Sequence, residues 1–167
     1  MEHKICGWVK LNDLQYLDYH NNEWGKPLHN DNALFELFSL ETQSSGLSWL
    51  TVLKKRDGYR KAFKNFSLET VASYTQEDIN RIFESGLIIK SRPKIEAIIN
   101  NAKLFLEIKK EFASLDNYFW SKVNHKTIIN DVIDYKMACT TSEISDELAK
   151  DLKKRGFKFV GSVTIYS

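Results

Sequence analysis

Long apolar runs are missing from this chain. No stretch of its 167 residues approaches the roughly 20 apolar residues needed to cross a bilayer, and the opening MEHKICGWVK lacks the apolar stretch of a secretory signal. Both absences point to a cytoplasmic protein without a membrane partner. Cysteine is scarce: Cys6 and Cys139 allow at most one bridge, which excludes a disulfide framework and suits a reducing compartment. Charge of one sign is nearly absent in sum. A net charge of +2 is too small to announce a nucleic-acid partner by itself. Sustained period-two alternation, internal repeats and low-complexity tracts are lacking too, so strands have no signature here.

What is present is apolar and aromatic. A hydrophobic share of 43% and an aromatic share of 13% suffice to bury a core, argue against disorder, and predict one domain over residues 1–167, with room for two helical lobes. Helical spacing dominates. Leu34, Phe35, Phe38, Leu47, Leu50 and Leu53 recur at intervals near three and four, interrupted around Ser44 to Gly46, which predicts two helices with a break. A helix opens at Thr75, with Asp78 in a variant capping box, and closes at Gly86. Another starts near Pro93, which a first helical turn tolerates, and continues through Ile95, Ile98, Ile99, Ala102, Phe105 and Leu106. A further helix runs from about Ser142 to Arg155, with Gly156 as its stop. Residues 117–139 show no convincing period. The fold class is all-α.

Two features carry candidate function. The first is GWVKLNDLQYLDYHNNEWG, which crowds Trp8, Tyr16, Tyr19 and Trp24 into one polar, Asn-rich stretch. Such rings join an apolar face to a polar tip and suit either a packing corner or a half-wet binding site. The second is three short basic blocks, Lys54 to Lys64, Lys90 to Lys94 and Lys153 to Lys158. Each reads as a solvated helix end, and together on one face they can track phosphates. The middle block lies between the helix that ends at Gly86 and the one launched near Pro93. That is the layout of a helix-hairpin-helix, in which turn amides and a helix N-terminus grip a phosphate and Lys90, Arg92 and Lys94 add charge; an ordinary helical hairpin has the same pattern. Ser48 in GLSW lacks the second glycine of a nucleophile elbow, so a serine-hydrolase reading ranks low.

The blocks CGWV, YHNNEWG, LETQSSGLSWLTVLKKR, KIEAIINNA and LKKRGFKFVG, in that order, resemble the bacterial 3-methyladenine DNA glycosylases of the constitutive type, an outlying branch of the helix-hairpin-helix glycosylases. The likeness runs from Cys6 to Ser167. It implies a helix-hairpin-helix glycosylase-like fold and a monofunctional enzyme that flips 3-methyladenine out of double-stranded DNA and hydrolyses its glycosidic bond. It implies Trp8, Tyr16, Tyr19 and Trp49 as rings around the extruded base, with Trp24 structural, and Glu41 as the carboxylate facing the cationic ring. Without the resemblance, Glu41 reads as a helix carboxylate capping or pairing with Lys54 or Lys55. Gln43 and Ser45 are weaker pocket candidates, the alternative being that either satisfies backbone at the helix break. Asp116 is not assigned a catalytic role. SLDNYFW reads instead as a helix cap followed by core aromatics.

The resemblance also implies a structural zinc ion held by Cys6 and His20 with a His and a Cys near the family's C-terminus. Since FVGSVTIYS ends the chain before that second pair, and His3, His29, His125 and Cys139 fall at none of the matching places, the expectation is half a zinc site and a missing family tail. The enzyme is expected to act as a monomer. The alternative is a non-catalytic module that binds DNA or the alkylated base.

Overall fold

The computed structural model describes residues 5–130, 132 and 134–167. His3 lies outside them, as do Asp131 and Ile133 of the stretch left without a period. Among the described residues there are ten α-helices and no strand: α1 (Leu14–Asn22), α2 (Asp31–Ser44), α3 (Trp49–Leu53), α4 (Arg56–Ala62), α5 (Leu68–Ala72), α6 (Gln76–Glu84), α7 (Arg92–Phe112), α8 (Leu115–Ser121), α9 (Glu143–Arg155) and α10 (Ser162–Tyr166).

Local chemistry sets most of these boundaries. Asp13, Asn30, Ser48, Ser114 and Ser142 each accept a hydrogen bond from a first-turn amide of the helix they precede. The Thr75–Asp78 capping box is complete in both directions. At the other end of α9, Gly156 takes the left-handed conformation with φ of 95°, and its N–H reaches the Leu152 and Lys153 carbonyls. The break between α2 and α3 spans Ser45 to Ser48, with Gly46 at φ of 75°. Leu47 differs from the periodic expectation. It sits in this break and is exposed, because the helical count stops three residues before it.

The long helix α7 is the axis of the core. Its buried face carries Ile95, Ile98, Ile99, Ala102, Phe105 and Ile108, and it packs on α2, α5, α6 and α8. Phe105 is the meeting point: its ring lies 4.8 Å from Phe38 of α2 and 4.7 Å from Phe157, just after α9, both near-perpendicular. Edge-to-face pairs of this kind hold three segments from distant parts of the chain in one register. Among the described residues of 122–142 there is no regular helix apart from one 3₁₀ turn at Tyr135–Met137, and Ile128, Ile129 and Met137 are exposed. The described β-branched residues of this run, Thr127, Ile128, Ile129 and Val132, are all exposed, in keeping with its lack of a period.

Asn101 explains why KIEAIINNA and LKKRGFKFVG belong together. It is fully buried in α7, accepts from the Lys158 N–H at 2.9 Å and donates to the Lys158 carbonyl at 3.1 Å. Asn100 beside it donates to the Gly156 carbonyl. The two amides clamp the turn after α9 onto α7. Asn101→Ala leaves both Lys158 backbone groups without that partner and is expected to lower the unfolding free energy by about 2 kcal/mol. Urea denaturation would show it as a reduced midpoint with unchanged slope, and an unchanged midpoint would contradict the clamp.

Candidate active site

The aromatic stretch folds as a corner around α1. A turn from Cys6 to Val9 brings Trp8 back over the helix, with its ring 5.1 Å from Tyr16, 5.4 Å from His20 and 5.3 Å from Trp24. Trp24 also stacks on His20, so it joins the cluster it was expected only to support. Tyr19 lies one turn on from Tyr16, toward α3. It is buried, and its ring meets Trp49 of α3 at 5.2 Å. Two contacts fix α1 against α3: the Gln15 amide donates to the Leu53 carbonyl at 2.9 Å, and Lys54 pairs with Asp13 at 2.8 Å. The four predicted rings thus form two adjoining pairs, Trp8 with Tyr16 and Tyr19 with Trp49.

Glu41 comes from the last turn of α2. Lys54 is committed to Asp13, and the Glu41 carboxylate has no hydrogen-bond or ion-pair partner among the described residues. It borders an apolar cavity of about 140 Å³ with Leu34, Leu37, Phe38, Phe119 and Ile165. Burial alone pushes its pKa up to about 7. Tyr19 is held above the ordinary tyrosine value, first by burial and then by the charge of Glu41, which places the phenol in the field of that carboxylate. The indole Nε1 of Trp49 is buried with no partner. A neutral phenol, an unpaired indole donor and an unpaired carboxylate therefore share one region. Buried polar groups are normally satisfied, and a native exception requires a reason.

The remaining predicted residues divide. Lys90 lies 3.4 Å from Glu84 and Arg92 bonds to Asn80, and both sit over the Phe83 ring. Lys94 turns inward: its ammonium donates to the carbonyls of Gln43 at 2.7 Å and Ser45 at 2.8 Å, and burial lowers its pKa. It completes the C-terminal end of α2, and these two carbonyls hold it away from the open surface of the turn. Gln43 is fully buried, donates to the Lys94 carbonyl and accepts from Tyr59, so it satisfies backbone at the break. Ser45 is exposed there. Ser48 caps α3, and Asp116 pairs with His29 at 2.8 Å in the first turn of α8.

Cys6 and His20 do meet. The Cys6 N–H donates to His20 Nε2 at 3.3 Å, and His20 Nδ1 is 2.9 Å from the Asn21 side-chain oxygen. Among the described residues no third His, Cys, Asp or Glu joins them. Two donors fall short of the four that structural zinc requires.

Sequence reasoning missed an ion network beside Tyr19. Arg56 reaches Glu23 and Glu36, and Arg60 reaches Glu36, along a cavity of about 370 Å³ that Tyr19 and Trp24 also line. The first basic block had been read as a solvated face, yet the Arg56 side chain is only 13% exposed. In the third block Arg155 is likewise taken by Glu111 and Asp151.

Comparison with known proteins gives the family. The family model for methyladenine glycosylase matches residues 8–167. The chain belongs to the methyladenine glycosylase family. A DNA-3-methyladenine glycosylase of Haemophilus influenzae is 46% identical over 162 residues, which cover 97% of this chain and 87% of that one. A crystal structure of 3-methyladenine DNA glycosylase I superposes with a TM-score of 0.93 at 42% identity, covering 98% of this chain and 89% of its own. The Staphylococcus aureus 3-methyladenine DNA glycosylase I, whose structure addresses recognition of 3-methyladenine, gives 0.90 at 42% identity, covering 93% and 82%.

As a methyladenine glycosylase, the chain holds Glu41 at a cost to its own stability. An acid whose folded pKa is raised from 4.5 to about 7 binds more protons when folded, so stability declines as pH rises between those values. Glu41→Gln is therefore expected to leave stability near wild type at pH 5 and to raise it at pH 8, by up to about 3 kcal/mol. Denaturant unfolding at both pH values checks this. A variant destabilised at pH 8 would mean that Glu41 is a structural ion-pair partner.

Proposed function

We propose that this chain excises 3-methyladenine from alkylated double-stranded DNA by hydrolysing the bond between the base and C1′ of its sugar. The single observation that carries this reading is Glu41: a carboxylate without a counter-charge, in an apolar wall, beside the Tyr19–Trp49 pair. An N3-methylated adenine is a cation. Electron-rich rings attract it over neutral adenine by roughly 0.5 to 2 kcal/mol for each well-placed ring, and an ionised carboxylate opposes the positive ring and accepts from its exocyclic amine.

The chemistry asked of the protein is then small. The glycosidic bond of a cationic base is already weakened, because the C1′–N bond breaks with its electron pair going to the base, which departs neutral, while water adds its hydroxyl at C1′ and releases its other proton to solvent. Exposure is the larger problem: the base must leave the stack, at a cost of a few kcal/mol that damage reduces. Arrival of the cation favours ionised Glu41, reversing the effect of burial. Trp8 and Tyr16 extend the aromatic wall on the solvent side of α1. No lysine is assigned as a Schiff-base nucleophile, so the reaction ends at an abasic site without strand cleavage.

Docking of the duplex falls to the turn between α6 and α7. Ser91 precedes α7 without a side-chain cap, leaving first-turn amides for a phosphate, and Lys90 and Arg92 flank them. This reading makes the turn a helix-hairpin-helix element and assigns Lys94 to the fold. No described helix is long and apolar enough to cross a membrane. The expected partner is cytoplasmic genomic DNA, bound by one copy of the chain, and Cys6 with His20 would supply only half of any zinc site.

The test is release of free 3-methyladenine from methylated duplex DNA above the spontaneous rate. Binding without release would favour the non-catalytic module. Glu41→Gln is expected to weaken capture of the methylated base about 10- to 100-fold, the worth of one hydrogen bond to a charged group, while affinity for undamaged duplex at fixed salt barely changes. Excision by wild type should also rise with pH through about 7 as Glu41 ionises, and the variant should lose that rise.

A further inference from the structure

The network around Arg56 is not needed to contact the base, yet it lies where three site-bearing elements meet. Arg56 opens α4, separated by two residues from α3, which carries Trp49. Its Nη1 donates to both carboxylate oxygens of Glu23 at 2.7 Å, and its Nε donates to Glu36 of α2. Glu23 is the residue that ends α1, and its own N–H donates to the Tyr19 carbonyl at 2.9 Å. Arg60 also binds Glu36, with Nη2 2.8 Å from the same Oε1 and Nε donating to Oε2 at 3.1 Å. The side chains of Arg56 and Glu36 are 13% and 11% exposed, so the bond between them is little screened by solvent, whereas Glu23 is 41% exposed.

We propose that Arg56 is a positioning residue for base excision, which sets the last turn of α1 against α2 and thereby fixes Tyr19 and Trp49 relative to Glu41. The inference rests on the excision reading. The planar guanidinium suits the task because it makes bonds in two fixed directions at once, whereas an ammonium on a flexible stem holds neither partner at a set angle. Glu23 and Glu36 lie 13 residues apart and are joined by no local helix bond, so the cation between them is a direct tie from the end of α1 to α2, beside the two contacts that fix α1 against α3.

The experiment compares Arg56→Lys and Glu23→Gln with wild type in single-turnover excision of 3-methyladenine, with enzyme in excess over methylated duplex, and determines the half-saturating enzyme concentration for each. Arg155→Met, which removes an ion-paired arginine from α9, controls for lost stability. Each test variant is expected to lose about 10-fold or more in the saturating rate, as sub-ångström misplacement of reacting groups does, with half-saturation unchanged. Combined, the two changes should cost little more than either alone, since they break one contact. The control should fall in Tm and keep its rate. Saturating rates within twofold of wild type for both test variants, with or without a lower Tm, overturn the positioning role alone. A wild-type protein that releases no base overturns the excision reading, and this inference with it.

Discussion

Everything specific to this molecule follows from one carboxylate largely shielded from water with no cation paired to it. A solvated or ion-paired Glu41 would have nothing to gain from a positively charged purine. Held among Leu37, Phe38 and Phe119, it is short of both solvent and counter-charge, and attraction to an arriving cation is several-fold stronger in such a place than in water. The surrounding rings act in the same direction: Tyr19 stays neutral through burial, and its pairing with Trp49 offers π surface without competing positive charge.

The fold maintains this state by committing nearby cations elsewhere. Lys54 goes to Asp13, Lys94 to two carbonyls at the end of α2, and Arg56 and Arg60 to Glu23 and Glu36. Each of these bonds also joins helices. The ties that hold the site together are thus the ties that keep Glu41 unpaired, and the stability given up at Glu41 is offset by a core organised around α7, where Phe105 and Asn101 gather distant segments.

What was legible in the sequence is what is decided within a few residues. Thr75 with Asp78, Ser142, Gly156 and the break near Gly46 act through local hydrogen bonds and backbone conformation, and they placed the helices. The rings of α1 were legible by composition, and the role of Glu41 through the resemblance to a family. Hidden were the interactions between residues far apart in the chain. Lys94 meets Gln43 across 51 positions and Arg56 meets Glu23 across 33, and nothing local in KSRPK or KKRDGYRK separates an inward cation from an outward one. One signal was available: Arg56 and Arg60 stand four apart, on one helical face. Trp24 was set aside as structural because its stacking on His20 depends on the turn that ends α1.

The most direct test of this account is an NMR titration of the Glu41 side-chain carboxyl in the free protein and in the presence of a cationic N-methylated purine. The carboxyl is expected to titrate at about 7 when free and at a clearly lower pH when the cation is bound. Titration near the ordinary glutamate value in the free protein, or a value unmoved by the cation, would contradict it.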